Sequence, residues 1–319
     1  MKKLLVLCVN ICFMLVVAKS YAAPLIVAHE LPAGHPVSQS IDWFASEVDK
    51  RTGMEVKVFS DGKLGNETAL LKALQDGSIA VTKVGASLIT NYSDDYKVLA
   101  LPYLFKDKAH YSQVLQGPIG KKLLAETNDK GFIGLAFLDA GSRSFYTDKP
   151  IVKPADLKGL KIRVQNSSLP KDMVSALGAV PIPIAYSELY DALHSGLVDG
   201  AENNIPSFFS SRHYEVKKYY SFDKHSSVPD VLVVSTKIWD TIPESDQSEI
   251  RKIAQEMVKV QEDNWSKFVG SAVEKLKASG VKFTESDIPA FQEAVKPVYE
   301  KFITEHPGQE ELLKNIQNQ

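Results

Sequence analysis

Three cations stand where strand physics does not favour them. In Leu160-Lys161-Ile162-Arg163-Val164, Arg163 lies between two β-branched residues in a run that reads as a buried strand. A guanidinium in that setting must be paired, or must lie at a strand end that faces a crevice. Lys83 follows Ile79 and Val81 on one face of another apolar run and raises the same question. Arg143, in Gly141-Ser142-Arg143-Ser144-Phe145-Tyr146, is a third, set among aromatic and small residues. An ordinary intramolecular ion pair would satisfy each one alone. Open α/β sheets keep their ligand crevice beyond the carboxyl ends of strands, and gathered there the three would hold a small anion.

Signatures of catalysis are missing from the sequence. It has seven histidines but no His-Glu-x-x-His, no Gly-x-Ser-x-Gly elbow, no phosphate-binding Gly-x-x-x-x-Gly-Lys and no Gly-x-Gly-x-x-Gly. His29 and His35, six apart beside prolines, admit a metal pair, but a loop or cleft hydrogen-bonding role is the reading adopted. The expectation is therefore a binding protein with no catalytic residue, metal site or cofactor.

Composition bounds the rest. The 319 residues, 44% hydrophobic and 24% charged, can bury a sizeable core and suggest two domains. With 37 Lys+Arg against 39 Asp+Glu the formal net charge is -2, which gives no electrostatic reason to expect nucleic acid as a partner. Lys2 and Lys3 precede an apolar run from Leu4 to Val17, and small residues surround Ser20-Tyr21-Ala22. Residues 1–22 thus read as a signal peptide cleaved near Ala22/Ala23, the apolar run being shorter than the ~20 residues that span a bilayer. Both cysteines, Cys8 and Cys12, fall within it. The exported chain, expected in the periplasm, would have no disulfide, cysteine metal site or cysteine nucleophile.

The elements that must position the cations alternate in α/β order. Apolar runs at 25–28, 54–59, 79–84, 132–138, 160–164 and 231–234 read as strands. Val37, Ile41, Phe44 and Val48 recur at helical spacing up to Thr52-Gly53, and further helices are expected at 170–177 and 187–194. Asn66 is a good N-cap, Glu67 suits a first turn and Gly77 a helix stop. From Pro243, an apolar stripe from Ile250 to Leu276 sustains about nine turns, roughly 50 Å at 1.5 Å per residue. A helix of that length is best explained by a path across two lobes.

The string from Tyr186 to Asn204, a helix, a Gly stop, a very short strand and a Glu-Asn-Asn turn, closely resembles the solute-binding subunits of tripartite ATP-independent periplasmic (TRAP) transporters of the DctP family. Leu64-Gly65-Asn66-Glu67, Leu101-Pro102-Tyr103-Leu104-Phe105, Gly117-Pro118-Ile119-Gly120, the Arg143 segment and Asp156 to Val164 also resemble family blocks in family order. The resemblance implies a two-lobed, type II-like periplasmic binding protein with a long helix spanning both lobes. Its lobes would be 23–140 plus 229–268 and 141–228 plus 269–319. It also implies that Arg163 grips a substrate carboxylate in a two-pronged salt bridge, which suits a guanidinium fork. Arg143 matches the family's second arginine and Asn203 the asparagine that bonds the same end of the ligand. Glu67 and Lys83 fall where members vary their contacts to ligand hydroxyls or a second acid group. His29 and Asp230 are weaker matches.

The blocks around Thr82-Lys83-Val84, Ala201-Glu202-Asn203-Asn204 and Val228 to Val233 look most like members that bind hexuronates such as glucuronate or galacturonate. A departure at Ala28-His29-Glu30-Leu31-Pro32, which lacks an Asp-x-His pattern, leaves the sugar end open to a different reading. The function implied is capture of a small organic acid and its delivery to the membrane permease subunits of a TRAP transporter. A C4-dicarboxylate or another organic acid remains an alternative guest, and a secreted sugar-acid lyase or isomerase using Lys83 or His29 is the rival class.

Overall fold

The computed structural model describes residues 23–319, so the expected signal peptide, with Cys8 and Cys12, lies outside the described residues. Two sheets organise the chain. The first has strand order β2-β1-β3-β10-β4, with β1 Leu25–Ala28, β2 Val56–Phe59, β3 Val81–Gly85, β4 Phe132–Leu138 and β10 Asp230–Ser235. The second has order β11-β9-β5-β8-β6-β7, with β5 Arg143–Thr147, β6 Lys161–Val164, β7 Val180–Pro183, β8 Gly200–Asn203, β9 Tyr219–Ser226 and β11 Lys282–Glu285. β1 and β3 run parallel while β10 is antiparallel to β3 and β4. In the second sheet β6 parallels β8 and β5 is antiparallel to β8 and β9.

This topology turns one end of each sheet toward the other. β4 leads into β5, and β9 leads back into β10, so a two-stranded ribbon crosses between the sheets at 139–142 and 227–229. The carboxyl ends of β1, β3, β6 and β8 and the starts of β5 and β10 therefore lie along that seam. The helix Glu244–Ala278 is the third link. It packs on the helix Pro36–Thr52 and β4, and further along on the helix Ile205–Ser210. Its Ile250, Ile253, Met257 and Trp265 join the first sheet's core, and Ala272 and Leu276 join the second's. The helices Ile288–Ala294, Lys296–Glu305 and Glu310–Gln317 lie on both sides: the first touches β9, while His110 Nε2 meets the Ile316 carbonyl at 2.7 Å.

Local chemistry fixes the elements nearest the seam. His35 Nδ1 accepts from Val37 N–H to cap the helix Pro36–Thr52, which begins with proline and ends at left-handed Gly53. Asn66 Oδ1 accepts from Ala69 N–H and Gly77 closes the helix Glu67–Asp76, as its sequence predicts. The strand expected from 54 begins at Val56, because its ladder partner β1 begins at Leu25, in register with Val56. The helix expected from 187 begins at Leu189, its entry being a 3-10 turn at Tyr186–Glu188, a common form of helix start. Among the described residues no helix is long and apolar enough to cross a membrane.

Candidate functional site

A cleft of about 810 Å³, its open mouth included, lies between the two sheets' edges. Glu30, Glu67, Lys83 and Asp230 line it from the first lobe, and Arg143, Arg163 and Asn203 from the second. The register explains the first set: Asp230 pairs with Gly85 and Leu232 with Lys83 across β10 and β3. Glu67 enters from the first turn of its helix.

Lys83 is paired within the wall. Its Nζ donates to Glu67 Oε1 at 2.7 Å and to Asp230 Oδ1 at 3.1 Å. Burial works against its charge, but Asp230, Glu67 and Glu30 outweigh burial and raise its pKa, so it stays an ammonium. Glu67 also accepts from Gly85 N–H at 3.2 Å. Arg143 is paired too. Its Nε donates to Glu202 Oε2, its Nη2 to Glu202 Oε1 at 2.9 Å and its Nη1 to Asn203 Oδ1 at 2.9 Å. Glu202 meets His225 Nε2 at 3.2 Å, and His225 Nδ1 meets Asp223 Oδ2 at 2.7 Å. Burial opposes the charge on Glu202 and on His225, yet their partners prevail: Glu202 falls to about 2 and His225 rises to about 9. This network fixes Arg143 and Asn203 from behind.

Arg163 differs. It is 3% exposed, and its Nε donates to the Ile184 carbonyl at 2.8 Å. Among the described residues no carboxylate forms an ion pair with it. Burial lowers its pKa, as expected for a cation short of counter-charge, although a guanidinium remains charged at any ordinary pH. Of the three cations singled out in the sequence, Arg163 is the one without a carboxylate partner among the described residues.

His29 is fully buried behind this wall. Its Nε2 lies 3.3 Å from Ser38 Oγ, it does not line the cleft, and burial holds its pKa at about 4. Its neighbour Glu30 faces the cleft instead. His35 is also buried. Its Nδ1 accepts from Val37 N–H, so Nε2 carries the proton toward Ser207 Oγ, 3.3 Å away on the opposite lobe. Thr90 and Ser167 meet across the same seam at 2.9 Å, and Asn91 Nδ2 donates to the Asn166 carbonyl at 3.2 Å. The lobes thus touch on either side of the cleft. Among the described residues no cluster of His, Cys, Asp and Glu is arranged to hold a metal.

Sequence reasoning missed Glu30, Gln165 and Tyr186 as cleft residues and Glu202 as the partner of Arg143. Glu30 carried a signal, as one of two polar side chains directly after a strand, but the choice between them depends on the phase in which the strand ends. Glu202 carried none, since its partner lies 59 residues away.

A family model, DctP, described as bacterial extracellular solute-binding protein, family 7, matches residues 27–306. A curated solute-binding protein of Chromohalobacter salexigens is 34% identical over 291 residues, 90% of this chain and 87% of its own length. A TRAP periplasmic solute-binding protein from a Bradyrhizobium species, solved in complex with α/β-D-galacturonate, is 39% identical with a TM-score of 0.89, covering 93% of this chain and 100% of that one. Another from Anaerococcus prevotii, with bound α/β-D-glucuronate, is 34% identical with a TM-score of 0.89, covering 92% and 97%.

Proposed function

Because the chain belongs to the DctP family of bacterial extracellular solute-binding proteins, we propose that it is the periplasmic receptor of a TRAP transporter, that it captures a hexuronate such as galacturonate or glucuronate, and that it delivers the acid unchanged to the membrane permease subunits. The observation that carries this reading is the buried, carboxylate-free guanidinium of Arg163 in a polar cleft between two lobes. Removing that charge from water is costly, and a ligand carboxylate offsets the cost through two parallel charge-assisted bonds.

Arg143 and Asn203 flank the same end of the guest, held by Glu202 and by each other. The hydroxyl end faces Glu30, Glu67 and Asp230 on the first lobe. A second carboxylate there would meet acids that already share the single cation Lys83. This favours a polyhydroxylated monoacid over a C4-dicarboxylate. The lobes 23–140 plus 229–268 and 141–228 plus 269–319 would close about the crossing ribbon, with residues 1–22 directing export.

Isothermal titration of the purified chain with D-galacturonate, D-glucuronate, D-erythronate and succinate tests the reading. A hexuronate should bind tightest and be recovered intact. Tighter binding of succinate, or conversion of the sugar acid, would contradict it.

A further inference from the structure

We propose that Glu30 reads the hydroxyl end of the guest: carrying its proton, it donates a hydrogen bond to a hydroxyl oxygen of the bound sugar acid. The inference rests on the function proposed above and assigns a specificity-determining role within that same site.

The geometry leaves Glu30 without a counterion. It follows β1, is 8% exposed and lines the cleft. Its Oε2 accepts from Glu67 N–H at 3.3 Å, and no other side-chain hydrogen bond of its carboxyl exists among the described residues. The cation on its own wall, Lys83, is held by Glu67 and Asp230. The cation opposite, Arg163, is on the other lobe and in the proposed complex belongs to the guest. The chain neighbours His29 and His35 are both kept neutral, by burial first and then by Lys83. Asp61, close to His29, adds only negative charge. A carboxyl group buried beside Glu67 in such a wall is more stable neutral than charged.

Its titration agrees. Burial first, and the Glu67 carboxylate second, push Glu30 up to about 8, against the pull of Lys83 and Arg163. A neutral carboxyl donates a hydrogen bond that an ionised one cannot. Neutralising Arg163 with the guest's carboxylate removes part of that pull, so the complex holds the Glu30 proton more firmly than the empty protein. Guest and proton therefore bind with mutual assistance, and above pH 8 binding must take up a proton.

The test is calorimetric titration with D-galacturonate at pH 7 and pH 9. Wild-type affinity should fall roughly tenfold between the two pH values, because an acid of pKa about 8 is mostly protonated at the first and mostly ionised at the second. Glu30→Gln, which keeps a neutral donor, should bind within a few-fold of wild type at pH 7 and lose the alkaline fall. Glu30→Ala should lose about tenfold at pH 7. If Glu30→Gln retains the alkaline fall, the proton resides elsewhere, as on His225, raised to about 9, and the proposal is overturned. Wild-type affinity in a folded Glu30→Ala also overturns it; if that variant does not fold, the pH profile of Glu30→Gln decides. Should wild type bind no hexuronate at all, the functional reading fails and this inference with it. Should wild type bind, and Arg163→Ala abolish binding, while the Glu30 variants behave as wild type, only the inference fails.

Discussion

The Nε–H of Arg163 is bonded to the carbonyl of Ile184, 2.8 Å away, just past the end of the neighbouring strand β7. β6 and β7 are parallel, with Arg163 in register with Ile182, so the sheet itself orients the guanidinium. One edge of the fork is tied to the protein, and the terminal nitrogens have no carboxylate among the described residues.

An unpaired buried cation has an unusual consequence for stability. Replacing Arg163 with Met should leave the melting temperature of the empty protein unchanged or raise it, because a costly buried charge is removed. Affinity for a hexuronate should fall by about 2–4 kcal/mol as the carboxylate loses its bidentate partner. Melting curves without ligand and calorimetry with it check the two halves separately. A large drop in the ligand-free melting temperature would mean that Arg163 serves the fold.

The Arg143 network predicts the opposite pattern. Glu202→Gln leaves Arg143 and His225 buried without their shared carboxylate, and should destabilise the empty protein by about 3–5 kcal/mol. Chemical denaturation reads this directly. An unaltered midpoint would remove Glu202 from its assigned place as the support behind the site.

Stability should peak near pH 6.5. The pKa of His225 is raised from 6.5 to about 9, so its contribution is complete below 6.5 and is lost as pH climbs through 9, and that of Glu30, raised from 4.5 to about 8, is complete below 4.5 and lost as pH climbs through 8. His29 and His213 are depressed by burial to about 4 and about 3, so theirs is complete above 6.5 and is lost as pH falls through those values. Glu202, lowered to about 2, adds a further loss below 4.5. A melting-temperature profile from pH 4 to pH 10 should be dome-shaped. A profile still rising at pH 9 would contradict the charged state of His225.

His35 and Ser207 meet only across the lobes. Ser207→Ala should weaken hexuronate binding by about 1 kcal/mol, with little change in the ligand-free melting temperature. The change should fall on the dissociation rate, since the contact holds the closed arrangement. Trp265, edge-on to His35 at 5.9 Å, offers a fluorescence signal for stopped-flow measurement. An effect confined to the association rate would exclude a latch.

Gly141 lies on the crossing ribbon at φ 61, and a Cβ there would stand 2.8 Å from Trp265 Cζ2. Gly141→Ala should destabilise the fold by at least about 1 kcal/mol, combining left-handed strain with displacement of the indole. Chemical denaturation measures it, and a neutral effect would show that the ribbon tolerates movement at this point.

What the sequence disclosed was local or periodic. The cap Asn66 and stop Gly77 bracket their helix because capping involves residues only a few positions apart. The stripe from Ile250 to Leu276 reveals the long helix because burial repeats with its turn. β5 and β9 escaped notice for the opposite reason. Beside Phe145, Tyr146 and Tyr220 their buried positions carry Arg143, Ser144, Asp223 and His225, which break the apolar pattern of a strand. The cations were visible as anomalies, but their partners were not: Lys83 finds Asp230 across 147 residues and Arg143 finds Glu202 across 59, distances over which sequence carries no pairing signal. His29 and Glu30 both follow the same strand, and only the fold decides which one turns toward the cleft.

The most direct test is a crystal structure of the chain with D-galacturonate bound. The account predicts both carboxylate oxygens within about 3 Å of two nitrogens of Arg163, with Arg143 still on Glu202 and Lys83 still between Glu67 and Asp230. A sugar acid whose carboxylate instead rests on Lys83, with Arg163 turned to an acid of the protein, would contradict it.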